Sequence, residues 1–183
     1  MSLRRPRSAA IACVLAALAG GALTGCKKHT LGVNREGQGI KVAGVTYNVY
    51  ITRQLNPHDA EDSAYTAGER ADQAGFYYYG VFLTACNENT NGSIHTPTDD
   101  FAIRDSQGDR FGPVRLPPTN VFAYRPKALA KKSCVPASGT VAATGPTSGA
   151  LLVFRVPITA VENRPLELEI SADGQSKRIE LDI

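Results

Sequence analysis

The chain of 183 residues predicts an all-β sandwich. Three observations carry that expectation. Apolar residues recur with period two in short stretches, Gly, Pro and Asn cluster between those stretches, and no long segment repeats its apolar residues at helical spacing. Seven or eight strands are expected, all between residues 41 and 183, with residues 1–40 set apart by their composition.

The N-terminus is the first part to be set aside. Arg4, Arg5 and Arg7 precede an apolar run from Ala9 to Leu23. A basic region, a short apolar region and then small residues is the layout of a secretory signal. The run is about fifteen residues, short of the roughly 20 that a membrane-spanning helix needs. It ends in Leu23-Thr24-Gly25-Cys26, which resembles the lipobox of bacterial lipoproteins. That resemblance implies removal of residues 1–25 as signal peptide and acylation of the Cys26 thiol, with several acyl chains needed for a stable anchor. Membrane lipid is then the first partner, and the extracytoplasmic face of the cell membrane the location. Cleavage at an Ala- or Gly-rich site, with Cys26 incidental, is the alternative. The following "KKHTLGVNREGQG" is polar and aperiodic, so residues 26–40 are expected to hold the lipidated cysteine and a flexible tether.

The strands follow in order. In "GVTYNVYIT", Val45, Tyr47, Val49 and Ile51 are expected on one face, opposite Thr46, Asn48 and Thr52. "GFYYYGVFLTAC" is apolar on both faces and reads as a central strand. "DFAIRDSQGDRFGPV" places Phe101 and Ile103 before a polar turn, a hairpin signal. "NVFAY", after a Pro-Pro turn, is expected as a further strand. "ALLVFRVPI" and "PLELEI" come next, then "KRIELDI", with Ala172-Asp173-Gly174-Gln175 as the last connecting turn. Two segments do not alternate. "DAEDSAYTAGERADQAG" reads as a loop with helical turns, because Gly68 interrupts a thin apolar face. "PASGTVAATGPTSG" is small and polar and is expected to be a mobile loop.

Charge excludes one class of partner. The chain carries 20 Lys and Arg against 17 Asp and Glu, a formal net charge of +3, and the three signal arginines account for the whole difference. The mature chain is neutral, so no nucleic-acid partner is expected. Locally, residues 104–132 are basic and residues 59–72 acidic, which reads as solvated loops of opposite sign, with a dedicated electrostatic surface as the alternative. With Cys13 in the signal and Cys26 acylated, Cys86 and Cys134 remain. An even pair in an exported chain points to a disulfide, worth about 4 kcal/mol in the chain-entropy picture. Two free buried thiols are the alternative.

Several phrases, "YNVYITRQLNPHDAEDSAY", "YYGVFLTACNEN", "DFAIRDSQGDRF" and "GALLVFRVPITAVENRPLELEI", resemble an uncharacterised family of bacterial, largely actinobacterial, secreted and lipid-anchored proteins. That family is similar to the telokin-like, immunoglobulin-like β-sandwich of secreted mycobacterial antigens. The resemblance runs from about Val42 to Ile183 and implies fold and location only, since no catalytic motif takes part. Tryptophan is absent, so the Cys–Trp–Cys core of antibody domains is not present.

Chemistry is sparse. No G-x-S-x-G string occurs, and the histidines are His29, His58 and His95. A hydrolase-like composite site near His58 and the acidic loop is the enzymatic alternative. A copper carrier needs soft ligands, yet Met1 is the sole methionine. Asn56, Asp59, Glu61 and Asp62 fall within seven residues and define a calcium-stabilised alternative, with Asp99 and Asp100 as a second acidic pair. The EF-hand spacing is missing, and no cofactor is expected. Tyr77, Tyr78 and Tyr79 occupy consecutive positions, so in a strand at least one points away from the core and offers a binding surface, unless a second sheet and a loop cover both faces, which is the alternative. The leading expectation is a lipid-anchored, non-catalytic binding or interaction module for an unidentified envelope protein or ligand.

Overall fold

The computed structural model describes residues 33–67, 69 and 74–183. The signal segment, Cys26 and the start of the tether lie outside the described residues. The described elements are β1 (Asn34–Arg35), β2 (Ile40–Val42), β3 (Val45–Leu55), α1 (Ala60–Tyr65), β4 (Phe76–Cys86), β5 (Asp100–Arg104), β6 (Arg110–Phe111), β7 (Cys134–Val135), α2 (Val141–Thr144), β8 (Ala150–Pro157), α3 (Ile158–Val161), β9 (Glu167–Ala172) and β10 (Gln175–Glu180). They form two five-stranded sheets. Sheet A runs β1-β10-β9-β5-β6. Sheet B runs β2-β3-β4, and the far edge of β4 is shared by β8 along Phe76–Leu83 and by β7 at Ala85–Cys86.

The alternation expected of the strands sets the layers. Val45, Tyr47 and Val49 of β3, Tyr79, Val81 and Leu83 of β4, and Phe154 and Val156 of β8 meet Phe101, Ile103, Leu168, Ile170 and Ile179 of sheet A in one buried cluster. A second cluster covers the opposite face of sheet B. There Leu55, Tyr78, Phe82, Leu151 and Val153 pack under Tyr65 of α1 and under Leu116 and Phe122 of the long connection after β6. This third layer is why β4 is apolar on both faces. Gly80 lies beneath it. A Cβ there would meet Leu55, Leu151 and Phe82 at 3.0–3.1 Å, so the strand tolerates only a missing side chain without repacking.

Turn chemistry confirms two hairpins. Asp173 and Gly174 both have positive φ, 49° and 72°, and join β9 to β10 with Ala172 opposite Gln175. That is the type I′ arrangement favoured by two-residue hairpins. Between β5 and β6, one Asp105 carboxylate oxygen accepts from the backbone N–H groups of Gln107 and Asp109 at 3.0 and 2.9 Å.

Five expectations are corrected. Asn34–Arg35, inside the span assigned to the tether, form a strand. β1 pairs in parallel with β10, Ile40 is buried, and the Glu36 carboxylate accepts from the Thr52 and Asp182 amides. A two-residue strand is too short to show periodicity. Ile51 faces solvent because a β-bulge between Val49 and Ile51 shifts the register, moving later side chains to the other face. "NVFAY" makes one isolated bridge, Ala123 to Leu151, in place of a strand. The "PASGTVAATGPTSG" segment contains α2, and the Gly149 amide donates to Ala142. The strand count also exceeds seven or eight, through the two-residue elements β1, β6 and β7.

Candidate functional site

The residues singled out in the sequence are mostly spent on the fold. Tyr78 and Tyr79 are each 4% exposed, on opposite faces of β4, and Tyr77 is half-buried against the Tyr79 ring. Of the two readings, the covered one holds: the facing sheet buries one side of β4, and α1 and the long connection cover the other, so Tyr78 and Tyr79 offer no binding surface.

The acidic loop does not converge on a cation. The Asp59 side chain caps α1, accepting from the Glu61 and Asp62 amides. Asp62, buried, pairs with Arg53 at 2.7 Å and accepts from the Asn56 amide at 2.8 Å. Glu61 pairs with the same guanidinium at 3.0 Å. The Asn56 side chain accepts from the His58 amide. Among the described residues no group of three or more His, Cys, Asp or Glu side chains is disposed to hold a metal ion. Asp100 pairs with Arg110 at 2.7 Å. Cys86 and Cys134 form a disulfide between directly opposed positions of β4 and β7, 4.1 Å apart at Cα.

A groove that no single motif announces lies on the open edge of the sandwich. β8 is the last long strand of sheet B on that side, and two arms of the long connection pair with its free edge. Val114 N–H donates to the Val153 carbonyl at 2.7 Å, Tyr124 N–H to Leu151 at 2.8 Å, and Leu151 N–H to Phe122 at 2.8 Å. Between the arms a cavity of about 320 Å³ opens, a size that small-molecule sites share. Its floor is buried: Phe101, Tyr124, Leu151 and Leu152. Pro113 and Pro126 stiffen its walls, and Asp99, Arg115 and Arg125 are its charged lining.

The floor is rigidly held. The Phe101 and Tyr124 rings pack edge to face at 5.2 Å. The Tyr124 hydroxyl donates to the Thr98 carbonyl at 2.8 Å, and the Thr98 amide donates to the Tyr47 hydroxyl at 2.8 Å. Burial raises both phenols above their ordinary pKa, for Tyr124 with the neighbouring Tyr47 and Asp99 adding to it, so the floor stays uncharged. Arg125 ties the arms together: one terminal nitrogen donates to the carbonyls of Leu116 and Pro117, at 3.0 and 2.7 Å. Among the described residues no carboxylate pairs with Arg115 or Arg125, whereas Arg53, Arg104, Arg110 and Arg178 all have acidic partners. A larger depression of about 480 Å³ beside the disulfide, lined by Tyr50 and Pro136, has no charged side chain in its wall. The basic bias of residues 104–132 was the only trace of the groove in the sequence.

Fold and site together define the class, an all-β sandwich with a groove on its open edge. Among solved structures, the yjhA protein of Bacillus subtilis is similar, with a TM-score of 0.53 at 11% identity over 82% of this chain and 100% of that one. An uncharacterized β-sandwich protein from Clostridium difficile 630 gives a TM-score of 0.45 at 11% identity, covering 81% of this chain and 95% of that one. No family model and no curated protein matches the chain.

Proposed function

We propose that this protein is an extracytoplasmic lipoprotein of the actinobacterial, telokin-like kind, anchored by acylated Cys26, whose immunoglobulin-like sandwich acts as a non-catalytic binding module. The observation that carries the binding reading is the edge groove, where two cations lack acidic partners among the described residues above an uncharged aromatic floor. The lipobox-like Leu23-Thr24-Gly25-Cys26 supports the anchor, and a disulfide fits an oxidising compartment. The composite-site alternative near His58 has little to draw on, since Asp59, Glu61 and Asp62 are engaged as cap and ion pairs.

Metabolic labelling with a fatty-acid probe tests the anchor. Label should enter the wild-type chain, and Cys26→Ala should abolish it and release the protein from the membrane fraction. Unchanged labelling in Cys26→Ala overturns the anchor.

A further inference from the structure

We propose that the edge groove is a site for a small amphipathic monocarboxylate, with the acid group at Arg115 and Arg125 and an aromatic or branched apolar body on the Phe101–Tyr124 floor. This deepens the binding-module reading and is independent of the acyl anchor.

Three features define the ligand class. The first is the floor. Phe101, Leu151 and Leu152 are buried core residues that also line the groove, so an apolar body placed there continues the packing of the sandwich. The second is the pair of guanidinium groups. Arg125 spends both hydrogens of one terminal nitrogen on the carbonyls of Leu116 and Pro117, which fixes its position and leaves its Nε and second terminal nitrogen with three N–H donors. Arg115, exposed and without an acidic partner, is free to present its planar fork to a carboxylate in bidentate fashion. One arginine is thus a fixed charge and the other an adaptable clamp. The third is Asp99, in the same wall and approaching from the β5 side. Its charge offsets one of the two arginines and repels a second anionic group on the ligand. A monoanion fits this balance better than a dicarboxylate.

The test titrates the full chain in lipid nanodiscs with naphthalene-1-acetate, against empty nanodiscs as blank, by isothermal calorimetry. Naphthalene-1-acetamide is the uncharged isostere. Saturable one-to-one binding of the acetate is expected, with the acetamide weaker by about tenfold, the loss of one charge-assisted contact. Arg115→Gln should weaken acetate by a similar factor and leave acetamide unchanged. Arg115 is exposed and its side chain has no hydrogen bond or ion pair among the described residues, so this variant should melt as wild type does. Asp99→Asn should tighten acetate and raise the affinity for naphthalene-1,4-dicarboxylate. The proposal is overturned by absence of saturable acetate binding, by acetamide binding as tightly as acetate, or by an Arg115→Gln variant that binds acetate unchanged. None of these outcomes bears on the fatty-acid labelling of Cys26.

Discussion

Arg53 of β3 reaches Asp62 of α1 at 2.7 Å while its guanidinium lies 5.5 Å from the centre of the Tyr65 ring. This one side chain fastens the third layer to sheet B by charge and by stacking together. Removing one member of a buried pair leaves the other charge without compensation, at a cost of about 3–5 kcal/mol in enclosed sites. Arg53 is partly exposed, so Arg53→Met should cost about 2 kcal/mol. Asp62→Ala should cost more, because the Asn56 amide also loses its acceptor. Urea unfolding of both variants measures the difference, and equal losses would contradict the second role of Asp62.

Glu36 is expected to act as a clip between β3 and the C-terminal segment that follows β10. One carboxylate oxygen accepts from the Thr52 amide at 3.1 Å and the other from Asp182 at 3.2 Å. Glu36→Gln keeps one acceptor oxygen and should cost about 1 kcal/mol, and Glu36→Ala about twice that. Amide hydrogen exchange should quicken at both Thr52 and Asp182 in the alanine variant. Faster exchange at one site alone would show that the bridge is not shared.

Acid sensitivity should centre on Asp105. Burial by itself would raise its carboxyl, but the Asn163 amide and the backbone N–H groups of Asp109, Gln107 and Gly108 together hold it below the ordinary value. A group with a lowered folded pKa adds stability that is complete above its unfolded pKa of about 4 and is lost as pH falls through the folded value. The wild type should therefore lose stability below about pH 4, with Asp105→Asn showing a shallower decline. Melting temperatures between pH 7 and pH 2 decide it, and parallel curves would remove Asp105 from the account.

Loss of the disulfide should lower stability by about 4 kcal/mol, the entropy of closing a loop of this length. The paired Cys86→Ala and Cys134→Ala substitution, compared with wild type in urea, reads this directly. A loss under about 1 kcal/mol would mean that residual structure in the unfolded chain already closes the loop.

What was legible in the sequence followed the length of each pattern. β3 and β9 are long enough for alternation to show, β4 and β8 for an apolar run on both faces to show, and the Asp173-Gly174 turn declares its own geometry. β1 has two residues, pairs with a strand more than 140 positions away, and leaves no period to detect. Ile51 was misplaced because a bulge carries no side-chain signature of its own. The covering of the three tyrosines is undecided by sequence for a different reason. Alternation tells which side chains oppose each other but not whether a third layer covers the outer face: Tyr65 comes from a segment without strand periodicity, and Phe122 from one that reads as a strand yet makes a single bridge. The groove draws on Asp99, Arg115 and Arg125 from three stretches, which only the folding of two arms against β8 brings together.

The way the chain enters the sandwich also has a mechanical meaning. A pull on the N-terminus loads Asn34 and Arg35 first, through their short parallel pairing with β10 and the Asn34 side-chain bond to the Arg178 carbonyl. Glu36 is next in line, gripping β3 and the C-terminal segment after β10. The β4–β7 disulfide and the edge groove sit on other strands, so tension can peel the entry segment while the loop closed by Cys86 and Cys134 stays locked. On that arrangement the entry is expected to act as a frangible link, yielding under load before the groove does.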